Sequence, residues 1–177
     1  LVGSEMCIRD RDEIDLDRLD AAWGKVQKRH GMMRASVEED GTQSIAPSSK
    51  IGHIERAECA NSSEAKQQLE EIKRTVFALA KPPLHRVVSI SWHEESGKQT
   101  RLVFCFDYTV LDALSVMTVL AELAELYENP GADLPGIGLT FRDFVVGHRR
   151  DGREVEEAEG YWRSRLPELP PAPQLPL

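Results

Sequence analysis

The 177-residue chain is poor in the residues that cross-link, ligate metals or anchor a protein in a membrane. Its three cysteines, Cys7, Cys59 and Cys105, are odd in number and lack CxxC spacing, which argues against a disulfide framework and a zinc site. Its five histidines, His30, His53, His85, His93 and His148, form no HxxxH or HExxH pair, so they read as solvated or locally bonded side chains rather than metal ligands. No apolar run reaches the roughly 18–20 residues of a membrane span, and the N-terminus lacks the basic-then-apolar layout of a signal peptide. Basic residues are outnumbered, 22 Lys and Arg against 30 Asp and Glu, for a formal net charge of −8. A surface that neutralises nucleic-acid phosphates needs clustered cations, so nucleic acid is excluded as the expected partner. What remains is the composition of a globular chain, 41% hydrophobic and 29% charged, for which the cytoplasm is the default location.

Both ends stand apart from the middle. Residues 1–11, LVGSEMCIRDR, show no helix or strand period, and resemble a translated sequencing-adapter remnant found at the ends of metagenomic reading frames. On that reading the native sequence enters near Asp12; the alternative is a disordered tail. The last twelve residues, LPELPPAPQLPL, hold five of the ten prolines. Residues 167–177 therefore read as an extended strap, because proline fixes φ and removes amide donors.

Between these ends helices and strands alternate. Ile14–His30 carries Leu16, Leu19, Trp23 and Val26 on one helical face, with Asp15 as N-cap, Ile14 and Leu19 at staple positions and Gly31 as terminator. Arg34–Val37 and Thr42–Ala46 flank the turn EEDG as a hairpin, and Ile51–Glu58 reads as a further strand. Ser62 or Ser63 is expected to cap a second helix with Ala65, Leu69, Ile72, Val76 and Leu79 on one face, running to Lys81-Pro-Pro. Leu84–Trp92 and Arg101–Phe106 are apolar at both alternations, the pattern of central strands in a sheet covered on both faces. Asp112–Tyr127 is the most hydrophobic helix, and Thr140–His148 and Glu154–Leu166 follow as two more. In the last of these, EVEEAE reads as a solvated face. The fold class is α/β, with a mixed or antiparallel sheet covered by helices and no internal repeat.

The chemistry is expected at the strand-to-helix junction Phe106-Asp-Tyr-Thr-Val-Leu-Asp-Ala-Leu-Ser115. Asp107 follows the apolar strand directly, and a buried carboxylate there needs a partner or a mobile proton. A structural ion pair and a reactive group are both open for it. Asp112 and Ser115 have the spacing of an N-cap and its N3 residue. Cys105, inside the apolar strand, reads as core rather than nucleophile.

These residues also carry a resemblance. Asp107-x-x-x-x-Asp112-x-x-Ser115 is similar to the DxxxxDxxS motif of the heterocyclization domains of nonribosomal peptide synthetases, relatives of condensation domains with HHxxxDG at the same place. Here Asp107 and Tyr108 stand for the two histidines and Ala113 for the glycine. Arg29-His30-Gly-Met-Met-Arg34 resembles the RHxxLR segment of these domains, and Phe141-Arg142-Asp143-Phe144, Tyr161-Trp162-Arg-Ser-Arg-Leu166 and the proline-rich end resemble the close of their N-terminal lobe.

The resemblance implies a chloramphenicol acetyltransferase-like lobe at residues 12–166 and a strap, residues 167–177, toward a missing C-terminal lobe. It implies catalytic-motif residues Asp107, Asp112 and Ser115, whose roles are partly structural, and an ion pair between Arg34 and Asp112. It also implies carrier-protein partners upstream and downstream whose phosphopantetheine arms bring the substrates, an adjacent adenylation domain, and no directly bound cofactor or metal. The implied reaction joins a carrier-bound acyl group to Cys, Ser or Thr and cyclodehydrates the product to a thiazoline or oxazoline; residues 12–177 alone are expected to be inactive. A tyrosine at 108, with an ordinary pKa of about 10, is no neutral-pH base, so a histidine-dependent mechanism is disfavoured. Two alternatives are a degenerate condensation-like module that only docks carriers, and a plain amide-forming condensation or acyltransferase domain.

Overall fold

Alternate residues of the strand RLVFCF bury against opposite layers, and this organises the core. Leu102, Phe104 and Phe106 join one apolar cluster, while Val103 and Cys105 join the other. The structure, a computed structural model, describes residues 4–10, 14–147 and 152–171. These fall into two units, one ending at Ile137 and one beginning at Gly138.

The first unit is built on a four-stranded sheet in the order β1-β6-β5-β4, where β1 is Ser4–Asp10, β4 Glu55–Glu58, β5 His85–Glu94 and β6 Gly97–Phe106. β5 and β6 form a long antiparallel hairpin from His85↔Phe106 to Glu94↔Gly97, and β4 joins β5 in parallel, so the sheet is mixed. Gly97 closes the two-residue turn at φ 106°, a left-handed conformation that favours glycine. Helices α1 (Leu16–Arg29) and α3 (Ala113–Glu128) supply Leu19, Trp23, Val26, Val116, Val119, Leu123 and Leu126 to one face. Helix α2 (Ser62–Ile72) covers the other with Ala65, Leu69 and Ile72. Each such side chain, fully buried, is worth about 1.5–3 kcal/mol of transfer free energy. A separate hairpin pairs β2 (Ala35–Val37) with β3 (Gln43–Ile45).

Several local expectations are met. Asp15 caps α1, its carboxylate accepting from the amides of Asp17 (3.1 Å) and Arg18 (3.0 Å). β5 and β6 are central, and Cys105 is buried in the core.

Others are corrected. Ser4–Asp10, in a segment whose sequence shows no strand period, pairs antiparallel with β6 from Ser4↔Phe106 to Asp10↔Thr100. The edge of β6 offers a row of unpaired main-chain groups, and an extended neighbour satisfies them whatever its side-chain period. Asn61, rather than Ser62 or Ser63, caps α2, accepting from the amides of Ser63 and Glu64 at 3.0 Å. That helix stops at Ile72, well before Lys81, where the Thr75 hydroxyl donates to the Ile72 carbonyl (2.6 Å). Val76 is consequently 91% exposed, whereas Phe77 packs against both apolar clusters. Gly31 is no left-handed terminator: α1 ends at His30 and runs into a 3-10 turn, Gly31–Arg34. The strand expected over 51–58 is paired only from Glu55.

The second unit holds α4 (Phe141–Gly147) and α5 (Gly152–Arg165), in neither of which a residue is buried. The EVEEAE run lies on exposed α5. A 3-10 turn, Leu166–Glu168, follows α5 before Leu169 becomes extended. His148 and residues 172–177 lie outside the described residues. No helix among the described residues is long and apolar enough to cross a membrane.

Candidate functional site

The junction between β6 and α3 is held by its own backbone and two aspartates. The amide of Asp107 donates to the Leu84 carbonyl (3.0 Å), extending the β5–β6 ladder by one step. The chain then turns, the Val110 amide reaching the Asp107 carbonyl at 3.2 Å, and buries Val110 and Leu111 beneath the loop.

Asp107 is half-buried, and its carboxylate accepts from the amide (2.8 Å) and the hydroxyl (2.5 Å) of Thr109. The hydrogen-bond partner of Asp107 is thus a local turn rather than a distant cation. Asp112, at φ −87° and ψ 177°, is the N-cap of α3 and accepts from the Ser115 amide at 2.8 Å. The Ser115 hydroxyl and amide hold the Asp112 carboxyl below its ordinary range, since both favour the ionised form. The spacing of cap and N3 residue is therefore realised, with the carboxylate on the exposed side of the helix.

The expected ion pair between Arg34 and Asp112 is not formed. The Arg34 guanidinium donates to the carbonyls of Ala46 (3.0 Å), Lys28 (2.9 Å), His30 (3.4 Å) and Gln27. A planar fork with five donors is well matched to the converging carbonyls where α1 ends. Arg34 thus terminates α1 and ties it to the end of β3, while Asp112 is already used as a cap.

Three side chains at the junction turn outward: Tyr108 is 43% exposed, Leu114 72% and Met117 64%. With both aspartates engaged in capping and turn bonds, the junction presents a shaped, mainly apolar face flanked by carboxylates.

Beneath it lies a residue that sequence reasoning missed. His85 pairs with Phe106 in the β5–β6 register and is 4% exposed, buried rather than solvated. Its ring packs edge-on against Trp23, and its Nε2 has no hydrogen-bond partner. Burial pushes its pKa down to about 4, opposed in part by the Met33 carbonyl. The available signal was alternation: His85 shares its strand face with Val87, which is core. The other described histidines differ. His30 bonds Glu122 (2.6 Å), His53 bonds Asp20 (2.8 Å) and His93 is exposed. Among the described residues no group of three His, Cys, Asp or Glu side chains is placed to hold a metal ion.

A mixed sheet covered on both faces, with an aspartate-rich turn from a central strand into an apolar helix, is the arrangement that comparison with known proteins now places. The condensation-domain family model matches residues 4–177, and the chain belongs to the condensation-domain family. It is 31% identical, over 95% of its length, to phenyloxazoline synthase MbtB of Mycolicibacterium paratuberculosis. It is 30% identical, over 93% of its length, to pyochelin synthetase PchF of Pseudomonas aeruginosa. Among solved structures, the EpoB nonribosomal peptide synthetase cyclization-docking bidomain of Sorangium cellulosum matches 99% of the chain at a TM-score of 0.85 and 30% identity. The chain spans only 15% and 9% of the two synthetases and 36% of the bidomain.

Proposed function

We propose that this chain is the N-terminal lobe of a heterocyclization domain in a nonribosomal peptide synthetase. The observation that carries the reading is the motif Asp107-x-x-x-x-Asp112-x-x-Ser115 at the β6–α3 junction, in a chain similar along nearly its whole length to a cyclization-docking bidomain. The name of one relative, a phenyloxazoline synthase, supports the same class of product.

The reaction has two stages. The amine of a carrier-bound Cys, Ser or Thr attacks an upstream acyl thioester, forming an amide and releasing the upstream carrier thiol. The side-chain thiol or hydroxyl then adds to the new amide carbonyl, and loss of water leaves a thiazoline or oxazoline. Both substrates arrive on phosphopantetheine arms of carrier proteins, and an adjacent adenylation domain loads the nucleophilic amino acid. Catalysis rests largely on aligning the two tethered partners, which converts a bimolecular reaction into an effectively unimolecular one.

Asp107 and Asp112 contribute by holding the junction in shape, and Ser115 completes the cap. Tyr108, Leu114 and Met117 line the side the substrates approach. A C-terminal lobe supplies the opposite wall and further groups for dehydration, so residues 12–177 alone are inactive.

The test rebuilds the complete domain around this chain and presents it with two loaded carriers. A product 18 mass units lighter than the amide, carrying the ultraviolet absorbance of the ring, supports heterocyclization. Amide without ring demotes the reading to plain condensation, and carrier binding without any product leaves a docking module.

A further inference from the structure

The two segments that resemble family motifs, Arg29–Arg34 and Asp107–Ser115, are connected by a residue outside both of them. Glu122 on α3 accepts from Arg29 Nε at 3.1 Å on each carboxylate oxygen, and its Oε2 lies 2.6 Å from Nε2 of His30. The cluster is largely shielded: Arg29 and His30 side chains are 20% exposed and Glu122 is 17% exposed. Arg29 reaches further, its Nη2 donating to the Pro135 carbonyl in the segment that follows α3.

Glu122 lies seven residues after Ser115, two helical turns or roughly 10 Å along the axis and on the same face. Beyond it, the end of α3 is tied to the start of α1 by the Asp15 amide on the Tyr127 hydroxyl (3.1 Å) and by Arg18 on the Glu128 carbonyl (2.6 Å). Between the junction and Glu122, the α3 contacts to other elements among the described residues are apolar, through Val116, Val119 and Leu120. Apolar burial is non-directional, so these contacts by themselves fix the roll of a helix less sharply than oriented bonds do. The directional, charge-assisted bonds nearest the junction are those to Glu122. A roll of α3 at that point would carry the Asp112 cap and the outward face of Leu114 and Met117 with it.

We propose that Glu122 is a positioning residue. By locking α3 onto Arg29 and His30, it sets the roll of the helix and hence the geometry of the Asp107–Ser115 junction. The activity consequence rests on the heterocyclization reading; the structural consequence does not.

The test compares Glu122→Gln, nearly isosteric but uncharged, with Glu55→Gln, which removes the ion pair from edge strand β4 to Arg86 on β5. Amide hydrogen exchange is followed in this chain and in the complete domain rebuilt around it. Glu122→Gln is expected to speed exchange at the Thr109, Ser115 and Val116 amides by about ten-fold while the α2 amides of Leu69 and Ile72 change less than about two-fold. Glu55→Gln is expected to leave the junction unchanged. In the complete domain with loaded carriers, Glu122→Gln is expected to lower kcat about ten-fold with little change in KM, because the junction rather than carrier docking is disturbed. Exchange that rises equally in α2 and at the junction, or a junction that does not respond, overturns the proposal. If wild type yields amide without ring, or no product, the heterocyclization reading fails alone, and the exchange result still decides the role of Glu122.

Discussion

The imidazole of His85 meets the indole of Trp23 edge-on, ring centroids 5.1 Å apart at an interplanar angle of 83°. Trp23 is in turn edge-on to Phe104 at 5.9 Å, so the histidine sits in an aromatic core and must be neutral to stay there.

A pH dependence follows from that burial. The folded-state pKa of His85 is pushed from 6.5 down to about 4, so folding requires the neutral ring. The stability tied to it is fully present above pH 6.5 and is lost as pH falls from 6.5 to about 4, with a ceiling of roughly 3 kcal/mol. Carboxylates such as Glu55, whose pKa is lowered by the bond to Arg86, add their losses only below about 4.5. Urea unfolding at stepped pH should therefore show a decline in the upper window that His85→Phe removes; an unaltered profile in that variant would refute it.

The early end of α2 separates two residues that share its expected apolar face. Ile72 is fully buried and Val76 is 91% exposed. Ile72→Ala should cost about 2–4 kcal/mol and Val76→Ala less than about 0.5 kcal/mol. Comparable losses in chemical denaturation would mean that the helix continues past Thr75.

Capping of the same helix can be assigned by three variants. Asn61→Ala should destabilise by about 1 kcal/mol, while Ser62→Ala and Ser63→Ala, inside the first turn, should change stability by only a few tenths. Thermal melts of the three variants check the order.

Arg34 and Asp112 have no shared partner, so their effects should be independent. Arg34→Ala removes bonds to four carbonyls and should cost about 2 kcal/mol. Asp112→Ala should weaken the start of α3, and Asp112→Asn should retain most of the cap. The double variant should lose the sum, with no coupling in a double-mutant cycle. A clear coupling energy would restore the ion pair that the structure lacks.

What was legible in the sequence followed from short-range rules. Asp15 and Asp112 cap their helices because a carboxylate before an apolar-periodic run meets a free amide three residues on, and for Asp15 one two residues on as well. The alternations of Leu84–Trp92 and Arg101–Phe106 identified the central hairpin, because a strand buried on both faces has no polar side to show. The junction motif was legible for the same reason, being a contiguous turn. The misses share a different cause. A cap at Ser62 or Ser63 set the helix start one or two residues late, because only the first helical turn shows that the free amides meet Asn61, and the α2 face drawn through Val76 ignored where Phe77 had to pack.

Sequence by itself determined the α/β class, the central strands and the capping of α3 by Asp112 with Ser115 at N3, since each depends on residues a few positions apart. It also carried the family, through motifs whose order the matched condensation-domain model covers. Only the tertiary structure decided which distant groups meet. Arg34 turned to the carbonyls of its own helix end, Glu122 became the acceptor for Arg29 and His30 some 90 residues away, and Ser4–Asp10 was recruited by the open edge of β6. Polar partners at long range are chosen by the packing of helices and sheet, and that packing places an acceptor within reach without leaving any spacing rule in the chain.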